Sequence, residues 1–277
     1  MCARVICQLY LRHAAIYSLL AASVAFSAAT ARCEEPTSRQ TEWVEIKSAG
    51  DRAIRALVAR PESPVSATVV VLLHEDRGLT NWERRLADQL ATAGYLTIAP
   101  DLLSDVVAKG SGTDSFDTVA AARAALYDIK ADQIASQLDA VCDYASKLSG
   151  GDKRIVVVGF GWGGGQAFLY ASHNPRLAAT AVFYGAAPTA EQVKQIQSPV
   201  YGFYAENDTR ITGEITKVRS QMAEAERYFE GVTYAGAKAG FFRTGEAKDA
   251  SPADLKARSE AWSRLIEILK PEEISSQ

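Results

Sequence analysis

Residues 67–73 (ATVVVLL) and 154–158 (RIVVV) are nearly unbroken aliphatic, mostly β-branched runs. A strand with one wet face alternates polar and apolar side chains. A strand that is apolar at almost every position is covered on both faces, as in a parallel sheet sandwiched between helices. The segments around these runs supply the helices. Residues 82–93 (WERRLADQLATA) place Leu86 and Leu90 one turn apart, just before Gly94. Further helices are expected from Lys130 to Leu148, with Ile134, Leu138 and Val141 on one stripe, and from Gly164 to Ala171. Another is expected to be capped by Thr212 and to end near Glu226. A last one starts after Ser251-Pro252, with proline in its first turn, and ends near Leu269. Other strands are predicted at 54–58, at 95–99 (stopped by Pro100), and at 179–184, 199–204 and 229–234. The Gly-, Ser- and Asp-rich residues 104–118 are expected to form one long loop. Strands separated by helices of this length imply an α/β fold, with a mostly parallel central sheet and helices on both faces. No repeat or low-complexity linker divides the series. One domain is therefore expected over 51–270, preceded by a tail and entry segment at 32–50 and followed by a short tail at 271–277.

The N-terminal segment has a different character. Residues 1–12 carry Arg4 and Arg12 and no acid. Residues 14–31 are apolar and end in Ala29-Thr30-Ala31, a small-x-small pattern, before the polar run RCEEPTSRQ. These parts predict a signal peptide over 1–31, cleaved near Arg32, and hence a protein exported to the periplasm or secreted. The apolar run is short for a membrane span and contains Ser and Thr, so no membrane association is expected after cleavage. Cys33 follows an arginine, where lipoprotein processing needs a small residue. Cys142 falls in an apolar helical pattern and reads as a buried thiol. No Cys/His spacing resembles a zinc site, and no metal or cofactor is expected. Lys and Arg number 30 against 33 Asp and Glu, for a net charge of -3. Without a basic surplus, nucleic acid is not expected as a partner.

The segment richest in chemistry is 155–165 (IVVVGFGWGGG), a strand that runs into a helix through a glycine-rich turn. In a nucleophile elbow, with Ser or Cys at its centre, the flanking glycines let strand and helix approach closely. The central residue takes strained dihedrals and aims its side chain into the site. Here the flanks are Gly159 and Gly163, but the centre is Gly161. A glycine has no atom with which to attack a carbonyl. The three glycines at 163–165 lack the Lys-Ser/Thr of a P-loop and the spacing of a dinucleotide motif, so a nucleotide site is not expected.

This segment stands with LLHEDRGLTNW (72–82), GYLTIAPDLL (94–103), AVFYG (181–185), PVYGFYAENDTRI (199–211) and YAGAKAGFF (234–242). Together they resemble the dienelactone hydrolase family of α/β-hydrolases over about residues 55–269. The resemblance implies an α/β-hydrolase fold, a Cys-His-Asp triad, and hydrolysis of cyclic enol-lactones or related small esters. It further implies that Asp208 is the triad acid, that Gly161 occupies the nucleophile position, and that Ala239 occupies the histidine position. Glu75 matches the acid that interacts with the resting nucleophile. The backbone N–H groups of Asp76 and Trp162 match the oxyanion hole, and Arg243 matches an arginine that binds the substrate carboxylate. A second such arginine is replaced by Ser104-Asp105. Only the group that would orient a histidine is left of the triad. His74, at the end of the 67–73 strand, and His173, at the end of the helix after the elbow, are not expected to act as its base.

Three functions fit these residues. The first is an exported protein with a degenerate triad, which binds a small ester, lactone or carboxylate without covalent hydrolysis. The second is a working hydrolase in which Glu75 or Asp208 activates a water. The third is a structural or interaction protein whose pocket is closed by Trp162, Phe241 and Phe242. Single residues carry their own alternatives. Glu75 is either a site carboxylate or a salt-bridge partner of Arg77, Arg84 or Arg85. Asp208 is a triad relic or a loop cap, Arg243 an anion ligand or a surface arginine, and Trp162 a ligand platform or packing beneath the pocket.

Overall fold

The two apolar runs become the centre of one sheet. In the computed structural model, β3 (Ala67–Leu73) and β5 (Gly151–Phe160) lie side by side in parallel, with Val70 opposite Val156 and Leu72 opposite Val158. β4 (Leu96–Asp101), β6 (Ala179–Phe183), β7 (Val200–Ala205) and β8 (Phe229–Tyr234) extend the parallel set. β2 (Ala53–Ala59) and β1 (Thr41–Lys47) complete one side in antiparallel pairing, giving the order β1-β2-β4-β3-β5-β6-β7-β8. The structure describes residues 41–48, 52–62, 66–107 and 111–271. The predicted signal peptide, its cleavage site and residues 272–277 lie outside them.

Alternation along β3 divides the core. Val70 and Leu72 face one layer, where α1 (Asn81–Thr92) contributes Leu86 and Leu90. Val69, Val71 and Leu73 face the other, where α2 (Val119–Asp128), α3 (Ala131–Ala145) and α4 (Trp162–His173) pack Leu126, Ile134, Leu138 and Ala167. α5 (Ile215–Glu224) covers the β7 side with Val218 and Met222. α6 (Pro252–Leu269) places Ala257, Ala261 and Leu265 in the first layer, and Ser251 caps it by accepting from the Asp254 N–H. Both faces of the sheet are thus covered, as its composition required. Among the described residues no helix is long and apolar enough to cross a membrane.

Four local expectations are corrected. Residues 41–47, expected within the tail and entry segment, form edge strand β1, because Ile46 is buried against the sheet. Pro100 lies inside β4, opposite Ala56 of β2. The β3 pairing has already ended at Ile98, so proline sits where β4 has a partner on one side alone. The loop expected over 104–118 contains a 3-10 turn at Gly112–Ser115 and is followed directly by α2, whose Thr118 cap accepts from the Ala121 N–H. Thr212 caps nothing. It ends a four-residue helix, Thr209–Thr212, and its hydroxyl donates to the Ala205 carbonyl, so α5 begins only at Ile215.

Cys142 is the buried thiol expected of it. Burial, partly offset by a hydrogen bond with Tyr170, pushes it from 9.0 up to about 12. Raised in the fold, its pKa makes the neutral thiol a source of stability that is complete below pH 9 and lost as pH climbs toward 12. Cys142→Ala should therefore flatten the alkaline fall in unfolding free energy over that window, read by urea titration at several pH values. An unchanged slope would contradict this environment for the thiol.

Candidate active site

The parallel strands end along one edge, where α/β sheets place their ligands. Five of those ends supply the site: Glu75 and Asp76 after β3, Gly161 after β5, Tyr184 after β6, Asp208 after β7, and Ala239 in the loop after β8. They line a cleft of about 710 Å³.

The elbow keeps its shape. A Cβ on Gly159 would stand 2.2 Å from the Gly163 carbonyl oxygen, and one on Gly163 would stand 2.3 Å from that of His74. Backbone meets backbone at these points, and only glycine fits. Gly161 itself takes φ 54° and ψ -114°, a conformation that an L side chain adopts only under strain. Its N–H donates to the Phe183 carbonyl at 2.9 Å. Space above it is open: a Cβ there would meet nothing nearer than Glu75 Cγ and the Tyr184 ring, at 3.9 Å. The turn is built as if to present a side chain that Gly161 does not have.

Glu75 is fully engaged. Its Oε2 accepts from Arg77 Nη2 at 3.0 Å and from Arg243 Nε at 2.9 Å, and its Oε1 accepts from the Tyr184 hydroxyl at 3.2 Å. Burial, reinforced by the Glu75 carboxylate, raises the Tyr184 hydroxyl well above its ordinary value, so it remains a donor. Burial lowers the Arg243 guanidinium, but Glu75 outweighs it and the net shift is upward. Of the basic partners expected for Glu75, Arg77 is the one found, while Arg84 pairs with Asp114 instead. Arg243 is both a cleft residue and an ion-pair partner.

Asp208 is the opposite case. It is only 6% exposed, and its Oδ2 has no hydrogen-bond partner among the described residues. Asp208 occupies the N-cap position of the Thr209–Thr212 helix, but its side chain makes no capping bond, which removes the loop-cap alternative. The surrounding loops are tied together. Asn207 N–H donates to the Ala237 carbonyl at 2.9 Å, Asn207 Nδ2 to the Gly236 carbonyl at 3.0 Å, and Gly236 N–H to Glu206 Oε2 at 2.8 Å. The loops that carry Asp208 and Ala239 are thus joined, and position 239 offers only a methyl group.

Trp162 is the first residue of α4, so its N–H has no intrahelical acceptor and points from the positive end of the helix. Its ring stacks on His74, with centroids 5.7 Å apart, while the residue also lines the cleft. Asp76 lines the same cleft, and its carboxylate pairs with Arg123 of α2 at 2.7 Å. His74 is no base: Nε2 accepts from the Leu102 N–H at 3.3 Å, which leaves Nδ1 to donate to the Glu75 carbonyl at 2.7 Å. His173 pairs with Asp139 away from the cleft. Ser104 is bonded to the Arg55 N–H, and Asp105 is buried against Gln137, so neither lines the cleft. Phe241 and Phe242 are wholly buried and do not close it. Among the described residues no group of three His, Cys, Asp or Glu side chains is placed to hold a metal ion.

Sequence reading passed over Tyr184, Arg210 and the wall formed by Leu126 and Tyr127. Tyr184 follows the last residue of a central strand, a position that could have marked it. The wall was missed with α2. Glu75→Gln should leave two guanidinium groups short of a counter-charge. The half-exposed arginines moderate that loss, and stability should fall by about 2 kcal/mol, measured by urea unfolding. A change near zero would mean the cluster is held by other contacts.

A family model described as the dienelactone hydrolase family matches residues 54–273. A Salmonella typhi protein, provisionally named carboxymethylenebutenolidase, is 31% identical over 239 residues, covering 80% of this chain and 84% of that one. The mouse carboxymethylenebutenolidase homolog is 30% identical over 225 residues, covering 78% and 86%. A Klebsiella pneumoniae crystal structure, provisionally described as a dienelactone hydrolase, superposes with a TM-score of 0.73 at 24% identity, covering 84% of this chain and 99% of that one. With this match and this cleft, the chain belongs to the dienelactone hydrolase family.

Proposed function

We propose that this protein binds a small ester, lactone or carboxylate in the cleft and does not hydrolyse it through a covalent intermediate. One observation carries the reading: Gly161 stands at the nucleophile position of an intact elbow, over open space, with no atom able to form an acyl-enzyme. The Asp208 Oδ2 without a partner supports it, since the group that this acid would orient is absent. The Trp162 and Asp76 amides are the groups to receive a carbonyl or carboxylate oxygen. The names of the relatives support a lactone or ester as the ligand class. From residues 1–31 we also propose that the protein acts after export, in the periplasm or outside the cell. N-terminal sequencing of the mature protein beginning near Arg32 would support this, and an intact Met1 in the exported fraction would overturn it.

The water-activating alternative narrows to one residue. Glu75 already accepts from three donors, whereas Asp208 has a free oxygen. The test is hydrolysis of a panel of small esters and lactones by the natural protein, by Asp208→Asn, and by a Gly161→Cys, Ala239→His double variant. The expected result is turnover by the double variant alone. A side chain at Gly161 adds strain on the order of 1–3 kcal/mol, so retention of fold is checked by circular dichroism. Turnover by the natural protein would overturn the reading, and its loss in Asp208→Asn would assign the chemistry to that carboxylate.

A further inference from the structure

A second cavity, of about 320 Å³, lies beside the cleft between α3 and α4. It shares two lining residues with the cleft, Ile134 and Gln166, so the two spaces adjoin near the N-terminal ends of these helices. The Gln166 side chain makes no hydrogen bond among the described residues, and no such bond fixes its amide across the passage. Beyond Gln166 the helices present apolar groups, Ala135 and Leu138 from α3 and Leu169 from α4. Leu138 is buried, while Ala135 and Leu169 are half-buried and face this space. Gln192 and Gln195, from the segment after β6, form a polar margin. At the far end Tyr170 donates to Asp139 Oδ1 at 2.8 Å, and His173 pairs with Asp139 Oδ2 at 2.9 Å, which ties α4 to α3. From Gln166 to His173, α4 advances about 10 Å. The cavity is a short furrow with an apolar floor, adjoining the cleft at one end and bounded by polar contacts at the other.

From this continuity we infer that the ligand of the cleft carries an alkyl chain, which passes Gln166 and lies in the furrow between α3 and α4. The inference rests on the reading of the cleft as a binding site and names the ligand more closely: an ester, lactone or carboxylate with a saturated side chain. The two spaces differ in chemistry as such a molecule requires. The cleft holds the ion-paired Glu75 cluster, Asp76 and the helix terminus at Trp162, which suit a polar head. The furrow offers Ala135, Leu138 and Leu169, whose apolar surface a hydrocarbon chain would take out of water together with its own. Its length along α4 suits a chain of medium length and not a long fatty acyl group.

The test compares γ-butyrolactone with γ-decalactone, which share the ring and differ by a hexyl chain. Binding to the purified full chain is followed by ligand-observed NMR, and circular dichroism checks the fold of each variant. γ-Decalactone is expected to bind about tenfold more tightly or better. Ala135→Phe and Leu169→Trp fill the furrow from its two walls, and neither residue lines the cleft. Each is expected to remove the preference and to leave γ-butyrolactone binding unchanged. Ser136→Phe adds the same ring to an exposed position of α3 that lines neither space, and is expected to keep the preference. Ala239→Trp fills the cleft and not the furrow, and is expected to weaken both lactones. Equal binding of the two lactones, a preference that survives either filling variant in folded protein, or its loss in Ser136→Phe would each overturn the inference. If the filling variants weaken γ-decalactone but Ala239→Trp leaves both lactones untouched, the reading of the cleft as the binding site is overturned instead. Ring opening by the natural protein, visible in the same spectra, would overturn the non-covalent reading, whichever lactone binds better.

Discussion

The site depends on a backbone-to-backbone contact that only glycine permits. At Gly159 and Gly163 there is no room for a Cβ, because the end of β5, the start of α4 and the end of β3 press against one another through carbonyl groups. That approach sets the dihedrals of Gly161, directs the first turn of α4 at the cleft, and brings Trp162 next to the Glu75–Asp76 turn. In an elbow with a nucleophile, the same contact stores the strain that exposes the attacking atom. In this chain the geometry persists although Gly161 relieves the strain and presents nothing.

Two carboxylates of the cleft are satisfied unequally. Glu75 sits under a hydrogen-bonded cluster of two arginines and a tyrosine. Asp208 is buried with its Oδ2 unpartnered among the described residues, and position 239 is alanine. A triad acid with its histidine is half of a working pair. In this chain Asp208 Oδ2 is buried and has no donor among the described residues.

Much of this was legible in the sequence, for identifiable reasons. The doubly buried strands announced themselves as aliphatic runs, and the elbow by glycines at fixed spacing. Both signals are local. What escaped was set by tertiary context. β1 alternates too weakly to be recognised before β2 is there to pair with it, and its single fully buried apolar residue is Ile46. Pro100 normally ends a strand, but here the pairing on one side ends first. α2 follows a loop rich in Gly and Ser, and its own alanine-rich run has little amphipathic character, so Thr118 was the only usable mark. Among the site residues, Gly161, Ala239, Glu75 and Asp208 could be placed by motif. That Glu75 accepts from three donors and Asp208 Oδ2 from none could be seen only once Tyr184, Arg77 and Arg243 were placed in space.

The central claim is that the cleft holds an intact ligand which no side chain attacks. It is tested most directly by a crystal structure of the natural protein soaked with a small lactone. The account predicts an unopened ring, with its carbonyl oxygen on the Asp76 and Trp162 amides and no bond to protein. A ring-opened acid in the cleft, or electron density continuous with any side chain, would contradict it.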